Sequence, residues 1–106
     1  MLLSICIPTY NMADFLGQTL DSIIPQLTDD IEIVICDNAS SDNTAELVRN
    51  YQKDLSCIKY FRWDENVGFD RNILKTVEIA NGEYCWLMGG DDIIEHGGIE
   101  KVSDAL

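Results

Sequence analysis

"IEIVIC", Ile31 to Cys36, is the stretch on which the fold turns. It is short, rich in β-branched residues and nearly continuous in apolar character. A strand with one wet face alternates apolar and polar residues, whereas a strand covered on both faces does not, and covered strands are the habit of parallel sheets. "LLSICI" (Leu2 to Ile7) and "EYCWLM" (Glu83 to Met88) read the same way. "CIKYFRW" (Cys57 to Trp63) alternates more and reads as a strand nearer an edge.

Helical spacings fill the gaps. From Met12 to Leu27, Phe15, Leu16, Leu20, Ile23, Ile24 and Leu27 recur at helical intervals, with Asn11 as the expected N-cap and Pro25 ending or kinking the last turn. From Asn43 to Tyr51 the apolar side is Leu47, Val48 and Tyr51, and Asn43 with Glu46 resembles a capping box. From Gly68 to Ala80 it is Phe69, Ile73, Val77 and Ala80, stopped by Asn81 and Gly82. A last helix is expected from near Gly98, with Ile99, Val102 and Leu106 on its apolar side. Alternating strands and helices predict an α/β fold: a Rossmann-like, open, mainly parallel sheet with helices on both faces. Such sheets bind ligands beyond the carboxyl ends of their strands, where strand order reverses.

The totals agree with one soluble domain. The chain has 106 residues, 46% hydrophobic and 25% charged, enough for one core. Its net charge of -12 argues against nucleic acid and against a polybasic membrane anchor. Bound divalent cations would relieve that charge, and so would solvation. Cys6, Cys36, Cys57 and Cys85 lack metal-site spacing and read as small buried hydrophobes in a reduced compartment. "MLLSICIPTY" has no basic n-region and reads as a strand rather than a signal peptide, and no run is long enough to span a membrane. A cytoplasmic location is the expectation.

The strand ends carry the chemistry. "PTYN" (Pro8 to Asn11) follows the first strand and "DNASSDNT" (Asp37 to Thr44) the second. "ENVGFDRN" (Glu65 to Asn72) lies in the third connection, and "GGDD" (Gly89 to Asp92) follows the fourth strand. Asp37 is placed to accept a hydrogen bond from a base or a ribose; its plainer role is a turn residue. Tyr10 offers a ring to stack on a base, or a body to pack under the first helix. Arg71, near a helix start, opposes the helix dipole unless an anionic ligand or an acidic neighbour such as Asp70 or Asp37 compensates. Asp91 and Asp92 suit Mg2+ or Mn2+ with waters and phosphates, or an acidic turn capping the last helix. Together one ring, one Arg and three carboxylates suit a nucleoside diphosphate bridged by a metal. No G-x-G-x-x-G, no P-loop and no acidic pair after the first strand points elsewhere.

"SICIPTYN", "IVICDNASSDNT", "NVGFDRN" and "GEYCWLMGGDD", in this order, resemble the nucleotide-binding half of a family 2 glycosyltransferase of the GT-A fold. The resemblance implies that Pro8, Thr9 and Tyr10, with Asn11 beside them, line the base pocket, and that Asp37 reads the base, commonly uracil. It implies that Arg71 lies near the nucleotide, that Asp91 contacts the ribose, and that Asp92 holds Mg2+ or Mn2+ on the diphosphate, with Asp91 beside it. Gly89 stands where many members have an Asp. The implied enzyme is inverting. It moves a sugar from a nucleoside diphosphate, a UDP-sugar by preference, to a hydroxyl of a saccharide or lipid-linked acceptor in surface polysaccharide assembly.

On this reading residues 1–106 form the donor-binding domain, truncated before the acceptor-binding half, so the general base is missing. His96, the only histidine, is expected at the surface or in a cap. Such a half is expected to self-associate through uncovered apolar surface, and a full-length enzyme to sit peripherally at the inner membrane face. The alternatives are a non-catalytic nucleotide- and metal-binding fragment, and an α/β domain with a structural or interaction role.

Overall fold

The computed structural model describes residues 1–89 and 97–106. Gly90, Asp91, Asp92 and His96, and the expectations attached to them, lie outside the described residues. Four strands form one sheet: β1 (Leu3–Thr9), β2 (Ile31–Asp37), β3 (Ile58–Arg62) and β4 (Tyr84–Leu87). Their order is β3-β2-β1-β4 and every pairing is parallel. The helices α1 (Ala13–Ile23), α2 (Thr44–Gln52), α3 (Phe69–Ile79) and α4 (Gly98–Ala105) connect or follow them. The chain runs outward from β1 to β3 and then returns to the other side of β1. The switch point therefore lies between β1 and β4.

The apolar runs explain the layers. Ile5, Ile7, Ile33 and Ile35 are fully buried in one cluster with Leu16, Leu20 and Ile23 of α1, Val48 of α2 and Ile99 of α4. Each such side chain contributes about 1.5–3 kcal/mol through removal from water. The alternate positions Cys6, Val34 and Cys36 face the other side, where Phe61, Ile79 and Ala80 pack on them. Helices thus cover both faces, as the unbroken apolar character of β1 and β2 requires. No helix among the described residues is long and apolar enough to cross a membrane.

Several local expectations need correction. The first two strands run on to Thr9 and Asp37, because the β1–β2 ladder continues through the Thr9–Asp37 pair. Asn11 does not cap α1. It sits at φ +50°, and its Oδ1 accepts the Ser41 N–H at 2.8 Å. The cap comes instead from Asp42, whose Oδ2 accepts the N–H of Ala13 at 3.1 Å. The other oxygen of Asp42 accepts the Thr44 N–H at 3.2 Å and its hydroxyl at 2.5 Å, so no Asn43 capping box forms. One carboxylate starts two helices. Burial raises the Asp42 pKa, but these donors outweigh it and lower the value overall. Pro25 ends α1 through a 3-10 turn over Ile24–Gln26.

Helix α3 departs further. Phe69 and Val77, expected on the apolar side, are exposed, and the residues α3 buries are Asn72 and Thr76. Asn72 pays its own desolvation by bonding both ways: its Nδ2 donates to the Cys36 carbonyl at 2.9 Å, and its Oδ1 accepts from Trp63 Nε1 at 3.0 Å. Cys85 is exposed on β4 rather than buried, because α3 packs on β1 and β2 and leaves that part of the sheet open. Cys6 and Cys36 are buried as expected, and burial pushes both thiols up to about 12. Cys57 is intermediate.

Candidate functional site

A cavity of about 380 Å3 opens at the carboxyl edge of the sheet. Its walls come from the end of β1 (Pro8, Thr9, Tyr10), the residue after β2 (Asn38), the β3–α3 connection (Asn66, Phe69, Asn72) and Gly89 after β4. It therefore lies at the switch point, where β1 and β4 diverge. Its volume is within the range of small-ligand sites.

Tyr10 stands 48% exposed at this cavity, so its ring is free to stack on a ligand rather than packed under α1. Thr9 is buried, and its Oγ1 has no hydrogen-bond partner among the described residues. Buried hydroxyls are rarely left so, and this one borders a cavity able to supply the missing group. The amides around it are committed elsewhere. Asn38 donates to Asn66 Oδ1 at 2.9 Å, and its own Oδ1 accepts the Val67 N–H at 2.9 Å. These bonds fasten the loop after β2 to the loop before α3. Asn11 lies outside the cavity wall and braces the neighbouring turn, its N–H donating to Ser40 Oγ at 2.9 Å.

Asp37 is fully buried and is not part of the cavity wall. One oxygen, Oδ2, accepts the Tyr60 hydroxyl at 2.5 Å and lies 3.9 Å from Arg62 Nε. The other, Oδ1, accepts the Ser40 N–H at 2.9 Å. Burial, and then the bond to this carboxylate, push the Tyr60 hydroxyl pKa well up, so it remains a donor at neutral pH. The cation beside Asp37 is Arg62 rather than Arg71. Arg71 is exposed near the start of α3 and does not border the cavity. Asp91 and Asp92 lie outside the described residues. Among the described residues, no cluster of three or more His, Cys, Asp or Glu side chains is arranged to hold a metal ion.

Similarity to known proteins gives the family and the fold. The description "Glycosyl transferase family 2" matches residues 4–106. The chain belongs to glycosyl transferase family 2. Abequosyltransferase RfbV of Salmonella typhimurium is 46% identical over 97 residues, which cover 89% of this chain and 29% of that protein. S. aureus TarS 1-349 in complex with UDP superimposes with a TM-score of 0.89 at 25% identity, covering 98% of this chain and 31% of that one. The mannosyltransferase PcManGT from Pyrobaculum calidifontis, in complex with GDP-Man and Mn2+, gives 0.80 at 25% identity, covering 87% of this chain and 28% of that one. The chain thus spans about a third of the length of these proteins.

Several residues at or near this cavity were not legible as such in the sequence. Asn38, Asn66 and Asn72 lay inside the quoted motifs but carried no role, because a side-chain amide says nothing about its partner until the loops are folded. Tyr60 and Arg62 were hidden in a strand read only for its alternation. Their signal was present: on an edge strand, an OH and a cation directly before the third connection.

Proposed function

We propose that this chain is the donor-binding part of a nucleotide-sugar-dependent glycosyltransferase. The observation that carries the reading is the switch-point cavity, bordered by the ring of Tyr10 and by the Thr9 hydroxyl, which has no partner among the described residues. The UDP complex of TarS and the GDP-Man complex of PcManGT support a nucleoside diphosphate sugar as the ligand class. In this reading Pro8, Thr9 and Tyr10, with Asn11 bracing their loop, receive the base, and Asp37 accepts a hydrogen bond from it. Arg71 offsets phosphate charge near the start of α3, and Asp91 meets the ribose. Asp91 and Asp92 are hard oxygen donors of the kind Mg2+ and Mn2+ prefer, and the Mn2+ in PcManGT supports that assignment. When bound, such a cation neutralises charge on a leaving diphosphate.

The whole enzyme would transfer the sugar by in-line attack of an acceptor hydroxyl on the anomeric carbon. The base that takes the hydroxyl proton, and the saccharide or lipid-linked acceptor, belong to a part beyond this chain. A role in surface polysaccharide assembly is part of this reading, and RfbV, named an abequosyltransferase, supports transfer of a sugar. Absence of a long apolar helix among the described residues fits a cytoplasmic protein. Exposed Leu74, Val77, Tyr84 and Leu87 on α3 and β4 favour self-association, which size-exclusion chromatography across a concentration series checks.

Calorimetric titration of UDP into the chain tests the central reading, first with Mn2+ and then with EDTA. Metal-dependent binding is the expected result. Binding that survives EDTA unchanged removes the cation from the assignment. Absence of binding across a panel of nucleoside diphosphates removes the nucleotide.

A further inference from the structure

Resting on the reading of Asp37 as the group that meets the base, we propose that Tyr60 is a positioning residue for nucleotide recognition. Its hydroxyl ties down one oxygen of Asp37 so that the other is the one offered to the ligand. The geometry separates the two oxygens. Oδ2 holds the Tyr60 hydroxyl and faces Arg62 Nε, whereas Oδ1 holds only the Ser40 N–H. A carboxylate oxygen accepts about two hydrogen bonds, so each keeps one acceptor position, and Oδ2 is the one with the Arg62 cation beside it.

Arg62 and the adjacent Trp63 also hold the turn that lies over this carboxylate. Arg62 Nη2 donates to the Ser40 carbonyl at 3.1 Å, and the Trp63 N–H donates to the Asp37 carbonyl at 3.0 Å. Asn38, between Asp37 and Ser40 in this turn, borders the cavity. Within the turn Ala39 sits at φ +62°, a conformation L-residues other than Asn and Asp avoid. On this reading the base edge meets a carboxylate that is fully buried beneath a tightly braced turn and whose orientation β3 sets. Without the Tyr60 hydroxyl, only the Ser40 N–H and a distant guanidinium would hold the carboxylate, and it could rotate about its Cβ–Cγ bond. The ligand class that gains is a nucleoside diphosphate whose base presents an N–H donor at its edge. Pyrophosphate, which has no base, gains nothing.

The experiment titrates two ligands into the chain in one Mn2+ buffer: the tightest binder among UDP, CDP, GDP and ADP, and inorganic pyrophosphate. The proteins are wild type, Asp37→Asn, Tyr60→Phe, the double variant and Arg62→Gln. Tyr60→Phe is expected to weaken the nucleotide by about fivefold, the worth of one lost hydrogen bond, and to leave pyrophosphate unchanged. In the Asp37→Asn background it is expected to do nothing more, because the two groups act as one unit. Equal weakening of both ligands, or additivity with Asp37→Asn, overturns the proposal and leaves Tyr60 a packing residue. A silent Tyr60→Phe beside a damaging Asp37→Asn overturns it alone. A silent Asp37→Asn overturns the base-reading role of Asp37 as well. Should Tyr60→Phe melt below the titration temperature, Arg62→Gln decides by the same selective loss or its absence.

Discussion

Strand β2 carries a buried carboxylate near each end, Glu32 at its start and Asp37 at its finish. Glu32 is surrounded. Its Oε2 accepts the Ser4 hydroxyl and the Asn81 N–H, each at 2.6 Å, and its Oε1 pairs with Lys59 at 2.9 Å. Gly82, next to Asn81, donates its own N–H to Ser4 Oγ at 2.8 Å. These bonds stitch the starts of β1, β2 and β3 to the turn before β4. Asp37 has fewer donors, one hydrogen bond on each oxygen, and a cavity beyond its turn. Both are charges in a low-dielectric setting, and both are compensated. The carboxylate at the amino end of the sheet closes the fold from β1 to the turn before β4, whereas the one at the carboxyl end fastens β3 to the turn after β2. Burial alone therefore does not distinguish the two acids; what each one ties together does.

Substitutions at the two ends sharpen the contrast. Glu32→Ala is expected to cost roughly 3 kcal/mol of stability, at the low end for a broken buried pair because Lys59 keeps contact with water. Urea denaturation measures the loss, and nucleotide affinity should stay unchanged in the folded fraction. Gly82→Ala attacks the same end by crowding. A Cβ there would lie 2.6 Å from both the Ser4 nitrogen and its Oγ, so a loss of about 2 kcal/mol is expected by the same assay. Asp37→Asn should show the opposite balance. Nucleotide affinity should fall about tenfold, equivalent to roughly 1.4 kcal/mol, with a smaller loss of stability. Comparable stability losses at Glu32 and Asp37, with nucleotide affinity untouched at both, would break the comparison.

Two smaller effects follow. Asp42→Ala removes the donor-accepting group shared by the starts of α1 and α2, and about 1 kcal/mol should be lost, read as a lower Tm. The pH dependence comes last. Burial raises the Glu32 pKa, but the bonds from Ser4, Asn81 and Lys59 prevail and lower it below its ordinary 4.5. The unfolded state therefore binds the proton more readily, so Glu32 stabilises the fold above pH 4.5 and loses this contribution as pH falls through the lowered value. Glu32→Gln should flatten this acid limb in denaturation curves taken from neutral to acid pH.

The sheet was legible because burial on both faces forces a nearly unbroken apolar run, and β1 and β2 show one. The helices were legible in their extent, but their caps were not. Asp42 caps α1 from beyond β2, and sequence proximity favoured Asn11 instead. The polar face of α3 was also invisible, because Asn72 and Thr76 become buried only where the Cys36 and Cys6 strands and Trp63 stand ready to meet them. The segments that wall the cavity could be read in order along the chain: "PTYN", "DNASSDNT", "NVGFDRN" and Gly89.

What the amino-acid order determined by itself was therefore the α/β alternation, the parallel sheet and the set of loops at its carboxyl edge, since these follow from local periodicity and turn chemistry. Only the tertiary structure decided which side chains meet there. It gave Asp37 to Tyr60 and Arg62, left Thr9 Oγ1 without a partner among the described residues, and turned Arg71 outward. Hydrogen-bond partners on neighbouring strands are set by register and strand order, and neither is written in the local pattern of any one segment.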